Sequence, residues 1–159
     1  MENESTARVL RQTFHESWDH VEQAYRRWLT ALPSHDQIQA ILLHMGEPPI
    51  AQANRAKFGP QQTRTWVQAV LAIIRALRAA GYADHLRAGQ SMEVLMLSRS
   101  IQYGLRPEQA YVAIEPRQVG GMTLVYQTPD HTERIVVDHV GMCEALEQML
   151  SNLRAHPLT

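Results

Sequence analysis

The longest regular pattern of hydrophobic positions lies near the start of the chain. From Phe14 onward, apolar residues recur at alternating spacings of four and three, which is typical of a helix with one buried stripe. The pattern predicts a long N-terminal helix over residues 5–32, ended by Pro33. The side chains of its stripe are mostly aromatic: Phe14, Trp18, Val21, Tyr25 and Trp28.

The next part of the chain also has helical spacing, and we predict a helical core over residues 34–104. Ser34 is a suitable N-cap, and Pro60 suits the first turn of a helix because its missing N–H costs little there. Glycines at the ends of the apolar runs are suitable helix stops. The predicted helices cover residues 34–46, 50–58, 60–81 and 91–103.

The last third of the chain favours strands. Residues 122–128 and 133–140 are rich in Val, Ile, Thr and Tyr, and a four-residue loop over 129–132 joins them as a hairpin. Residues 107–115 are ambiguous, because Pro107 and Glu108 suit a helix start whereas Tyr111–Ile114 suits a strand. We therefore predict a β element at about 110–140, a turn with Gly120 and Gly121 as its pivot, and a final helix over 141–155.

Together these elements predict one domain over residues 1–159, of the α+β class and mainly α. We expect five to six helices in one core, with a small antiparallel hairpin or three-stranded meander near the C-terminus. The chain has one cysteine and no apolar run as long as a membrane span, so we expect a cytoplasmic protein without membrane contact.

Charge is unevenly distributed along the chain. Residues 48–83 contain five basic side chains and no carboxylate, whereas the segments on either side each carry a net charge of −3. One interpretation is contact with phosphates or an acidic partner, and the other is pairing with acids of the first helix or simple solvation. The basic residues are Arg55, Lys57, Arg64, Arg75 and Arg78.

The aromatic stripe of the first helix also has two interpretations. It is either the core of a helical bundle within one chain or the surface that forms a homodimer or binds a partner helix. At about 1.5 Å per residue the predicted helix spans roughly 42 Å, and this length favours the second interpretation.

The segments 91–103 and 107–115 would form a helix-turn-helix if both were helical. The hairpin 122–140 would then be the wing of a winged-helix DNA-binding protein. If Tyr111–Ile114 is a strand, this interpretation fails.

No catalytic or metal-binding motif is present in the sequence. His139 and Cys143 are four residues apart, but a zinc site needs three or four converging ligands, so we predict a buried structural thiol and no cofactor. We expect a non-catalytic regulatory or adaptor protein that acts by protein association, as a homodimer or complex subunit, with nucleic acid as a second candidate partner. A winged-helix regulator is the alternative, and a small enzyme with an unrecognised site is a further one.

Overall fold

The computed structural model describes residues 4–32, 60–102 and 105–159. In this part of the chain, three α-helices and a short 3-10 turn accompany a five-stranded antiparallel sheet. The helices are α1 (Glu4–Ala31), α2 (Pro60–Ala79) and α3 (Glu144–Arg154), and the turn covers Tyr82–Asp84. The strands are β1 (Arg87–Ser91), β2 (Val94–Ser98), β3 (Tyr111–Pro116), β4 (Met122–Gln127) and β5 (Thr132–Val137).

The sheet is a simple meander in which each strand pairs with the next one along the chain. The pairing places Leu97 opposite Val112, Ile114 opposite Leu124, and Leu124 opposite Ile135. These side chains lie on one face of the sheet, since residues opposite each other point to the same side. This face packs with the buried sides of all three helices in one hydrophobic cluster.

Several predicted elements are confirmed. α1, α2 and α3 begin and end within a few residues of the predicted bounds, and β4 and β5 form the predicted hairpin. Gly120 and Gly121 both have positive φ in the turn between β3 and β4, and a Cβ on Gly121 would lie only 2.1 Å from the Val137 carbonyl oxygen. Only glycine fits this position.

The predicted fold class is wrong in its proportions. The chain is α+β, but the described residues form three α-helices, not the predicted five to six, and a five-stranded sheet replaces the small hairpin. The segment predicted as a helix over 91–103 instead contains the last residue of β1 and the whole of β2. The apolar run at 94–97 is too short for periodicity to separate helix from strand, and pairing with β1 and β3 decides it. The predicted helices over 34–46 and 50–58 lie outside the described residues.

Candidate functional site

The aromatic stripe of α1 lies inside the chain's own core. Phe14, Trp18, Val21 and Tyr25 are buried, and the half-buried Trp28 stacks on Tyr25 with ring centroids 6.2 Å apart. These are the residues proposed from sequence as a dimer or partner interface. Their burial is what the bundle-core interpretation predicts, because this chain already covers them.

Of the basic residues of the middle segment, the three that the structure describes differ in their contacts and exposure. Arg78 Nη2 donates a hydrogen bond to Asp19 Oδ1 at 2.6 Å, and its Nη1 lies 3.6 Å from Glu22 Oε1. Arg64 Nη1 donates to the Leu29 carbonyl oxygen at 3.5 Å, whereas Arg75 is exposed. Two of these three arginines therefore contact α1, and one of them, Arg78, pairs with its acids. Arg55 and Lys57 lie outside the described residues.

The helix-turn-helix interpretation is wrong. Its first helix, predicted over 91–103, contains β2, and its second, predicted over 107–115, contains most of β3. Tyr111–Ile114 pairs with both β2 and β4, so this segment is a central strand of the sheet. A central strand cannot serve as a recognition helix.

The cysteine and histidines named as candidate ligands do not converge. Cys143 is half-buried at the N-cap of α3, and the exposed His139 contacts its neighbour Asp138. Across the residues that the structure describes, no group of three or more His, Cys, Asp and Glu side chains could hold a metal ion.

A separate cluster of titratable side chains joins α1, the 3-10 turn and α3. His15 Nε2 lies 2.6 Å from Asp84 Oδ1, and this hydrogen bond lowers the pKa of the Asp84 carboxyl. Arg154 Nη2 lies 2.8 Å from His85 Nε2, and burial together with the Arg154 charge lowers the pKa of His85. His85 is therefore neutral at neutral pH, where its ring nitrogen accepts a hydrogen bond from Arg154. Each contact links two elements of the fold.

The first edge of the sheet is covered by α1. The Ala88 amide of β1 donates a hydrogen bond to Ser17 Oγ at 3.0 Å, and Trp18 Nε1 donates to the Leu86 carbonyl oxygen at 2.8 Å. Side chains of α1 thus satisfy main-chain groups that an edge strand would otherwise expose.

Within the described residues 4–32, 60–102 and 105–159, the second edge of the sheet, formed by β5, is open. β5 pairs with β4 on one side, and no other described element hydrogen-bonds to its backbone. Thr132, Glu133, Arg134 and Val136 are exposed, with 59% of Val136 accessible to solvent. A row of main-chain donors and acceptors is therefore available along this strand.

The sequence predicted this strand but not its position in the sheet. Its apolar residues and the loop before it indicate a hairpin, whereas its place at an edge depends on the number and order of the other strands. Since the β1–β2 hairpin was predicted as a helix, the strand order could not be worked out.

No family model, curated protein or solved structure matches the chain. Among the described helices, none combines the length and apolar character needed to cross a membrane. Function is therefore inferred from the geometry of the two sheet edges.

Proposed function

We propose that the protein is a non-catalytic regulatory or adaptor protein that acts by binding another polypeptide chain along the open edge of β5. The observation that carries this proposal is the contrast between the two edges of one sheet. α1 caps β1 through Ser17, whereas β5 offers a full strand to solvent.

The open edge lacks most of the features that normally prevent strand addition, although it carries two charged side chains, Glu133 and Arg134. Natural edge strands are shortened, bulged, covered, or interrupted by proline. β5 has six residues, contains no proline, and pairs with β4 in continuous register from Thr132 to Val137. An extended segment added here would gain main-chain hydrogen bonds, the contact used in β-augmentation.

The alternation of side chains along β5 would supply specificity. Ile135 and Val137 lie half-buried on the helix-packed face, next to the core, whereas Arg134 and Val136 point to the opposite face. A bound strand would therefore meet apolar contacts on one side and a mixed charged and apolar surface on the other.

Amide hydrogen exchange of dilute full-length protein tests the proposal. The probe is a short peptide of alternating threonine and valine with a lysine at each end, which forms a strand but resembles no particular partner. We expect the peptide to slow exchange at amides of β5 and to leave the Ala88 amide, already bonded to Ser17, unchanged.

An N-methylated form of the same peptide is the matched control. It keeps the side chains but cannot donate main-chain hydrogen bonds, and its methyl groups block close approach to the strand edge, so it should leave exchange in β5 unchanged. If the unmodified peptide has no effect on β5 at millimolar concentration, the edge does not accept a strand and the proposal is wrong.

A further inference from the structure

The geometry of β5 restricts how it could pair with a second copy of itself. A two-fold axis that relates two antiparallel strands in one sheet is perpendicular to that sheet, so opposite residues come from the same face. In β5 the odd-numbered residues lie on the helix-packed face and the even-numbered ones on the other. The two-fold axis must therefore lie between one residue and the same residue of the partner strand. An axis through a residue means this arrangement.

Most of the allowed registers bring unsuitable side chains together. An axis through Glu133 or Arg134 places that charged residue opposite its own copy, which is destabilising. An axis through Ile135 places Arg134 opposite the partner's Val136. An axis through Val137 places Val136 opposite the partner's Asp138.

The register centred on Val136 avoids each of these conflicts. It places Val136 opposite the partner's Val136, and Ile135 opposite the partner's Val137. The apolar row of the helix-packed face would then continue across the interface, and the exposed Val136 would be covered.

The same register also pairs one basic side chain, Arg134, with an acidic one. It places Arg134 opposite the partner's Asp138, and Glu133 opposite the partner's His139. Asp138 and His139 directly follow β5 in a bend, and their side chains are 99% and 61% exposed, so the pairing requires this bend to extend the strand by two residues. Arg134 is also largely exposed, with Nη1 3.7 Å from Glu115 Oε2. Every contact repeats by symmetry.

We propose that the partner at the β5 edge is a second copy of this chain. The two β5 strands pair antiparallel about Val136, and the two five-stranded sheets become one continuous sheet. This inference rests on the proposed function, because it names the partner of the same edge.

Charge exchange tests the register. Arg134→Glu and Asp138→Arg each place like charges opposite one another at two symmetric positions, so each should raise the dimer dissociation constant roughly tenfold. The double variant restores opposite charges and should return the dissociation constant close to the wild-type value. Sedimentation equilibrium of the full chain measures the dissociation constants of the two single variants and of the double variant. Asp130→Arg, in the β4–β5 turn, is the matched control.

A cysteine at the axis gives an independent test. In a Cys143→Ser background, Val136→Cys should form a disulfide between copies under mild oxidation, because opposite Cα atoms of antiparallel strands lie about 4.5–5.5 Å apart, within the range of about 4.4–6.8 Å that a disulfide spans. Val119→Cys, at the exposed turn between β3 and β4, should not form one.

The outcomes separate the two proposals. A chain that stays monomeric while the threonine–valine peptide still protects β5 would overturn the second-copy inference and leave the proposed function standing. A dimer that does not respond to the charge changes would place the interface elsewhere and also overturn the inference. Absence of both dimer and peptide protection would overturn both proposals.

Discussion

At the scale of single residues, Glu93 shows how side chains of two helices hold one hairpin. Its carbonyl oxygen accepts a hydrogen bond from Tyr25 Oη at 3.2 Å and another from Trp66 Nε1 at 2.7 Å. The first donor comes from α1 and the second from α2. The β1–β2 turn is therefore fixed to both helices at a single atom, and each donor contributes to stability.

Tyr25→Phe should reveal this contribution and a dependence on pH. Burial and the Glu93 charge raise the pKa of Tyr25 above its ordinary value of 10.0. Below pH 10.0 the Tyr25 hydroxyl keeps its proton in both the folded and the unfolded chain. Above it the unfolded chain loses the proton first, so the free energy of unfolding falls as pH rises. The variant should lose about 1 kcal/mol at neutral pH and show a shallower decline towards about pH 11.

Urea unfolding at a series of pH values measures both effects. Tyr126, whose pKa is also raised by burial, remains in the variant, so part of the decline should persist. A decline identical to that of the wild type would show that Tyr25 does not cause it.

Cys143 occupies a position that a hydroxyl residue would suit better. It is the N-cap of α3 with extended backbone (φ −151, ψ 164), its carbonyl oxygen accepts from the Glu147 amide at 3.1 Å, and its side chain makes no cap hydrogen bond. Cys143→Ser should raise the free energy of unfolding by about 0.5–1 kcal/mol, because serine Oγ can accept from a free amide of the first turn. Cys143→Ala, compared in the same urea titration, should give no such gain, and equal stability of the two variants would contradict the prediction.

At the scale of elements, long amphipathic patterns were predictable and short apolar runs were not. The stripe from Phe14 to Trp28 repeats often enough to specify a helix, and its burial agrees with one of the two interpretations. The run Val94–Leu97 has only four residues, so it fits both the hydrophobic period of a helix and that of a strand. In the structure Leu95 and Leu97 are fully buried whereas Val94 and Met96 are half-buried, an alternation produced by pairing with distant segments.

The contact between α1 and β1 gives a prediction at this scale. Ser17→Ala removes the acceptor of the Ala88 amide, so that amide should exchange faster, and the protein should lose about 1 kcal/mol of stability. Thr13→Ala is the matched control, because the hydroxyls of Ser17 and Thr13 each donate to a carbonyl oxygen one helical turn earlier, those of Phe14 and Val9, but the hydrogen bond of Thr13 is exposed. Similar exchange at Ala88 in both variants would show that Ser17 does not protect the strand edge.

At the scale of the whole molecule, the candidate site was the least predictable feature. The residues chosen from the sequence carry notable side chains, such as tryptophan and arginine, and the structure places most of those it describes in the core or against α1. The open edge consists of ordinary residues whose importance comes from strand order. That order depends on all five strands together.

Association through β5 should make the stability of the molecule depend on its concentration. The thermal midpoint should rise with protein concentration, because a folded chain pairs with a second folded chain and not with an unfolded one. Val136→Lys should remove this dependence, because it places two lysines opposite each other at the axis. In the isolated chain a lysine on the exposed side of an edge strand is well tolerated, so the midpoint at high dilution should match that of the wild type. Val119→Lys, at a side chain that is 82% exposed in the β3–β4 turn, should keep the wild-type dependence. A concentration dependence that survives Val136→Lys would mean that the copies meet through another surface.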